Sequence, residues 1–416
     1  MMTLQGRLLL VVGLLLAGSC SKPEPEPAPV VLEQAGDPAD RALALFPVVG
    51  DGPTEIALGE LQAALLRQPK KHDYWVLLGE AWVKKARQSF DPGFYVHADA
   101  AAKVALAIEP DSRVARQLRG LVMLNNHDFA GARDLATVLT REQPADPRAW
   151  GVLSDALLEL GDVDGASAAA DQMMERKPNL PSYARASYLS WLRGDVKQAL
   201  EAIRLAIDAG GGQRDREPSA WVLTDAANIF WHRGDVDGAI AGCDRALREL
   251  PGYPPALALK ARALLEQGKA ADARPLAERS LAQAPLTDTA RLVAAIATAL
   301  HDDAAAAAAL VRARAIGEST DHLGLALLLA DQGEQLERAL LLVDEEKKKR
   351  GGVYVDDVRS WVLFKLGRLD EARVDSDRAL RWKTPDRRLL EHAAAIRTAQ
   401  KDPTAAALQA EAKLLR

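Results

Sequence analysis

Residues 147–179 read PRAWGVLSDALLELGDVDGASAAADQMMERKPN, and this stretch decides the fold. Trp150, Leu153 and Leu157 recur at steps of three and four, the spacing of one helix face. Gly161 then interrupts the run, and a second amphipathic stretch carries Ala166 and Ala170 before Pro178. The pattern predicts two helices. Gly161 ends the first in a left-handed conformation that costs glycine little. Asp162 follows, and Asp164 is placed to cap the second helix. Pro178 stops the second helix because it has no N–H to continue the ladder.

The same phrasing repeats along the chain. Ala98, Ala132, Ala166, Ala199, Ala239, Ala273, Ala307, Ala339, Ala372 and Ala406 are separated by 34, 34, 33, 40, 34, 34, 32, 33 and 34 residues. Proline stands twelve residues later in five units, at 110, 144, 178, 251 and 285. Glycine stands five residues earlier in six, at 93, 161, 194, 234, 268 and 367. Three residue types in fixed phase at one period are a specific repeat signal. Small Ala belongs where two helices cross, since a larger side chain would push them apart.

With Trp150, Leu153, Leu157, Gly161, Ala166, Ala170 and Pro178 at the family's positions, the sequence resembles the tetratricopeptide-repeat (TPR) family. Trp75, Leu78, Gly79 and Trp82 open another unit in the same way. The resemblance implies an all-α solenoid, a right-handed superhelix of antiparallel helix pairs with about ten repeats. The units fall near 72–112, 113–146, 147–179, 180–219, 220–253, 254–287, 288–318, 319–352, 353–386 and 387–416, with 54–68 as the second helix of a partial cap. Stacked neighbours build one continuous core, because no unit buries its apolar face alone.

Irregular steps mark departures from the ruler. Residues 83–95 hold extra residues, read as a longer connection in the first unit, and 208–219 read as a flexible loop. The Ala304–Ala309 run lies within a second helix. Residues 344–350 (DEEKKKR) before Gly351-Gly352 read as a basic helix end with a glycine C-cap.

The amino terminus is an address. Arg7 precedes the apolar run Leu8–Ala17, which is ten residues long and too short for the ~20 of a spanning helix. It fits the apolar region of a signal peptide covering 1–19. Leu16-Ala17-Gly18-Ser19-Cys20 resembles a bacterial lipobox, with Cys20 as the lipid-attachment residue. Ala17 departs from the more usual Leu. The following Pro/Glu run, 22–29, is an extended, solvated tether, and 20–52 forms the lead-in. Ser21 in place of Asp implies an outer-membrane lipoprotein facing the periplasm. The alternative is ordinary cleavage without lipidation.

Composition narrows the function. In 416 residues, 53 basic side chains meet 58 acidic ones, for a net charge of −5, which argues against nucleic-acid binding. Two cysteines exclude a disulfide framework, and Cys243 reads as a buried core thiol. No pair among the seven histidines has metal-site spacing, and no nucleophile motif occurs. The repeats leave no stretch for a catalytic domain. No enzyme activity, metal or cofactor is implied.

The resemblance implies a ligand groove lined by positions 2, 5, 9, 12 and 13 of each first helix. Read onto this chain, the groove-binding candidates are Asp155, Tyr188, Trp191, Asn228, Trp231, Arg262 and Trp361. Exposed aromatics with polar companions are frequent anchors. Trp191 and Trp231 either anchor a ligand or fill the seam between adjacent first helices. Thr224 stands where a carboxylate-clamp Lys would be, so that clamp is not matched. The expected function is a non-catalytic, lipid-anchored scaffold binding protein or peptide partners of an envelope complex (secretion, polysaccharide export, pilus or outer-membrane biogenesis). The alternatives are a glycan-binding or enzyme-accessory lipoprotein, or a non-lipidated adaptor.

Overall fold

A computed structural model of the chain describes residues 36–211 and 215–415. The signal-peptide and lipobox residues, with Cys20, and the Pro/Glu run lie outside them, as do residues 212–214. The described residues form helices joined by short turns, with no strand among them. Helices α1 (Pro38–Ala44) and α2 (Pro53–Arg67) lead into ten antiparallel pairs. These are α3 (His72–Ser89) with α4 (Phe94–Ile108), α5 (Arg113–Asn125) with α6 (Phe129–Glu142), and α7 (Pro147–Glu159) with α8 (Val163–Arg176). Next come α9 (Leu180–Leu192) with α10 (Val196–Gly210), α11 (Glu217–His232) with α12 (Val236–Glu249), and α13 (Pro254–Glu266) with α14 (Ala270–Gln283). The last four are α15 (Thr287–Ala299) with α16 (Asp303–Thr320), α17 (His322–Gln332) with α18 (Leu336–Lys349), α19 (Val353–Lys365) with α20 (Leu369–Leu380), and α21 (Arg387–Ala399) with α22 (Ala405–Ala412).

Local chemistry explains the pairs. Asp162 caps α8 by accepting from Gly165 N, and Asp195 and Asp235 cap α10 and α12 by accepting from Gln198 N and Gly238 N. The caps are therefore the first aspartates after the turn, and α8 is capped by Asp162, not by Asp164. Eight of the marker alanines, from Ala98 to Ala273 with Ala339 and Ala372, are fully buried at 0% exposure. The other two are out of register by one: Ala306 and Ala405 are buried, while Ala307 and Ala406 are exposed. In the α16 unit the cap is Asp302, and four residues beyond a cap is 306, as it is 166 beyond Asp162.

Three other expectations change. The extra residues of 83–95 mostly lengthen α3, which runs to Ser89 and ends at a left-handed Phe90 (φ 55°). Gly93 is right-handed, at φ −56°. Helix α10 continues to Gly210, which shortens the loop read at 208–219. Where a unit lacks the turn glycine, His127, His301 and Lys401 take positive φ.

The ends of the stack are built differently. The indole Nε1 of Trp82 donates to Ala44 O at 2.9 Å, and Ala44 is fully buried. This holds α1 against the first pair, with α2 on α3. Helix α1 falls within the stretch read as lead-in.

Units distant in sequence also meet. Gly351 N donates to Glu159 O at 2.8 Å, and Thr384 Oγ1 donates to Leu192 O at 2.6 Å across 192 residues. Arg381 reaches Gly161 O at 3.2 Å, and the Arg193 guanidinium lies 4.8 Å from the Trp382 ring. Val353 and Leu389 join the apolar cluster of Leu180, Trp191 and Ile203. The turns after α7 and α9 thus pack on the connections before α19 and α21. Gly351-Gly352 is a point of close approach to Gly161 and leads into α19, whose N-cap is Gly352; α18 ends at an extended Arg350, not at the glycine C-cap read from the sequence. In the same way Arg87 pairs with Glu217, and the Phe90 ring packs, tilted, at 5.7 Å from the Tyr253 ring.

Candidate functional site

These long-range contacts bring first helices from separate units around one space. A cavity of about 530 Å³ is lined by α11, α13, the start of α15, Tyr354 of α19, and the cap and first turns of α21. Every lining residue belongs to a first helix or its cap; no second helix contributes.

Helix α11 supplies the wall with the most unused polarity. Asp225, Asn228 and His232 are three and then four residues apart, so they share one helical face. Trp231 stands beside them and also lines the cavity. The Nε1 of Trp231 and Nδ1 of His232 are buried without a hydrogen-bond partner. Asp225 and Asn228 have no side-chain partner among the described residues. A buried polar group left unmade costs free energy comparable to a lost hydrogen bond, so the Trp231 N–H and His232 Nδ1, beside the half-buried Asp225 and Asn228, mark a site awaiting a partner.

Electrostatics accentuates this. Burial pushes the Asp225 carboxyl up to about 7, with no cation close enough to oppose it. Burial also pushes His232 down, with Asp386 opposing and Arg262 and Arg388 adding to the fall. The cations that line the cavity are already engaged. Arg262 pairs with Asp288 at 2.5 Å and lies 5.4 Å from the Trp231 ring. Arg387 pairs with Glu391 at 2.6 Å, and Arg388 Nε lies 3.3 Å from the buried Asp357. Tyr354 donates to Asp386 Oδ2 at 3.3 Å, while Asp386 Oδ1 caps α21.

The structure gathers only part of the groove set read from the sequence. Asn228, Trp231 and Arg262 line the cavity together. Trp191 is 4% exposed, its ring 5.1 Å from His232 and 5.9 Å from Tyr188. It fills the seam between α9 and α11, whereas Tyr188 remains exposed. Asp155 is held by Arg185 at 2.5 Å. Trp361 is elsewhere, stacked at 4.0 Å on His392 and donating to Asp331 at 2.8 Å. Thr224 turns its hydroxyl onto Ala220 O at 2.8 Å.

Sequence reasoning missed Asp225, Tyr354, Asp386 and Arg388. His232 sits at groove position 13, so its place was readable. Asp225 lies three residues before Asn228, on the same face, but outside the family's groove positions. The others come from units far along the chain, and no spacing announces them. Cys243 is fully buried, its thiol pushed up to about 12 by burial with Asp244 adding to the rise. Among the described residues no group of three or more His, Cys, Asp or Glu is arranged to hold a metal ion. No described helix is long and apolar enough to cross a membrane.

Comparison with known proteins fits this repeat architecture. Two family models, both described as tetratricopeptide repeat, match the chain, one at residues 123–187 and 230–297 and the other at 191–254. No curated protein matches. Among solved structures, PilW, described as a widely conserved type IV pilus biogenesis factor, is 18% identical with a TM-score of 0.43. The match covers 51% of this chain and 96% of that one. A tetratricopeptide repeat protein from Parabacteroides merdae is 17% identical with a TM-score of 0.43, covering 60% of this chain and 98% of that one. YrrB, described as a TPR protein with an unusual peptide-binding site, is 16% identical with a TM-score of 0.32. It covers 44% of this chain and 93% of that one.

Proposed function

We propose, from the premise that this chain is a tetratricopeptide-repeat protein, that it is a non-catalytic scaffold whose inner face binds a segment of a protein partner. The observation that carries the reading is the α11 wall, where Asp225, Asn228, Trp231 and His232 line the cavity and the fold leaves the Trp231 N–H and His232 Nδ1 unmatched. A chain that folds for its own stability alone satisfies such groups. An extended peptide brings alternating N–H and C=O groups that could satisfy both the Asn228 amide and the Trp231 N–H.

The address completes the proposal. The Arg7 and Leu8–Ala17 pattern with Ser19-Cys20 supports cleavage before Cys20 and lipidation there, at the bacterial envelope. A lipid anchor followed by a Pro/Glu tether would hold the solenoid off an outer membrane on its periplasmic side. The partner would then belong to an envelope assembly such as secretion, polysaccharide export, pilus or outer-membrane biogenesis machinery.

Two measurements test the two halves. Cross-linked affinity purification from intact cells, with wild type beside Asn228→Ala/Arg262→Ala, is expected to recover a protein from the wild type and lose most of it in the variant. Equal recovery would contradict inner-face binding. Labelling with a radiolabelled fatty acid is expected to mark wild type and not Cys20→Ala; unchanged label would remove the anchor.

A further inference from the structure

We propose that the inner cavity is a subsite for one basic side chain of the partner segment, with Asp225 as its counter-ion. The inference rests on the reading of the inner face as the partner-binding surface and adds the chemistry that the partner must present.

Charge accounting within the cavity favours a cation. Arg262 is paired with Asp288 at 2.5 Å and Arg387 with Glu391 at 2.6 Å, and the Arg388 charge is balanced by Asp357 at 3.3 Å and by Asp386. An incoming anion would have to displace a carboxylate from one of these. Asp225 has no such partner, and Asp386 is in no ion pair, holding the Tyr354 hydroxyl and its own capping bond while Arg388 and His232 interact with it at longer range. The unspent charge that lines the space is therefore negative. An independent observation points to a ligand: His232, 7% exposed, lines the cavity with Nδ1 unpartnered. A neutral imidazole nitrogen accepts a hydrogen bond from an ammonium or guanidinium.

The walls suit the same guest. The rings of Trp231 and Tyr354 line the cavity, and each already faces a guanidinium, at 5.4 Å from Arg262 and 5.5 Å from Arg388. Aromatic faces of this kind attract cations. The Trp231 N–H is a donor only, so it calls for an acceptor that an ammonium or guanidinium lacks and a peptide carbonyl supplies. A basic residue within a peptide brings both. A cavity of about 530 Å³ has room for one such side chain with its flanking backbone. The basic cleft at Lys347–Arg350 contrasts with it, because those cations are already paired with Asp356, Glu345 and Glu346.

The test titrates the full chain with the acetylated, amidated pentapeptide Gly-Ala-Arg-Ala-Gly and with its citrulline counterpart, which keeps the shape and removes the charge. Binding is read by calorimetry at millimolar peptide. The arginine peptide is expected to bind at least about tenfold more tightly than the citrulline peptide. Asp225→Asn is expected to abolish that preference while its melting temperature at pH 8 does not fall. Equal binding of the two peptides, no binding of the arginine peptide, or an undiminished preference in Asp225→Asn overturns the subsite. Photo-crosslinking from Glu266, on the cavity rim, separates the two readings. A partner captured equally by wild type and Asp225→Asn removes the basic subsite and leaves inner-face binding standing. No partner captured by wild type removes both.

Discussion

Gly194 rests against the carbonyl of Lys383, so closely that a Cβ on Gly194 would lie 2.7 Å from that oxygen. Gly194 also has φ +75°, so the position needs glycine twice over, for its turn and for its neighbour. Gly268 has the same kind of turn, φ +73°, with nothing near its missing Cβ. Gly194→Ala and Gly268→Ala therefore share the left-handed penalty of about 1–2 kcal/mol. Only the first adds overpacking, about 1–3 kcal/mol more. Urea denaturation of both variants checks this. Equal losses would mean that the contact between distant units does not contribute to stability.

Asp225 predicts an unusual pH signature. Its folded value is raised to about 7, so the folded chain holds a proton that the unfolded chain releases near pH 4. The stability linked to that proton is complete below about pH 4 and is lost as pH rises to about 7. Tyr188 and Tyr253 interact with the group, and His232, Arg262, Tyr354, Asp386 and Arg388 line the same cavity, so the difference between variant and wild type is the clean reading. Asp225→Asn is expected to gain about 1–3 kcal/mol at pH 8 and much less at pH 4.5. A variant less stable than wild type at pH 8 would show that Asp225 has a native partner.

The one-residue shift in α16 is also measurable. Ala306→Leu forces a large side chain into the helix crossing and is expected to cost about 1–3 kcal/mol. Ala307→Leu points outward and is expected to stay within about 0.5 kcal/mol. The reverse order, read by thermal melting, would restore the register first read from the 34-residue ruler.

Cys243 is expected to be silent toward a thiol reagent in the native chain. It is fully buried and its thiol is pushed up to about 12, so little thiolate exists and none is accessible. Full reaction is expected only in denaturant. Rapid modification of the native protein would place Cys243 at a surface.

The repeat architecture was legible because each unit writes its own signals: a cap, a turn glycine, a small crossing residue, a terminating proline. Asn228, Trp231 and Arg262 were legible for the same reason, since a position within a first helix implies a face. Asp225 was not, although it lies on that face, because its meaning depends on what packs opposite. Tyr354 and Asp386 belong to units more than a hundred residues away, brought in by Gly161, Gly194 and Gly351. Repeat periodicity describes neighbours in sequence, and close approach between distant turns leaves no period. Trp191 shows the same limit in reverse: its position implied the groove, and its burial against His232 came from the neighbouring unit.

The central claim is that the partner is held on the inner face, among first helices. Its most direct test places a photo-crosslinker at Glu266 on the cavity rim and, separately, at Val311 on α16, which is 70% exposed and belongs to a second helix. After irradiation of living cells, a protein adduct is expected from Glu266 and not from Val311. An adduct from Val311 with none from Glu266 would contradict the account.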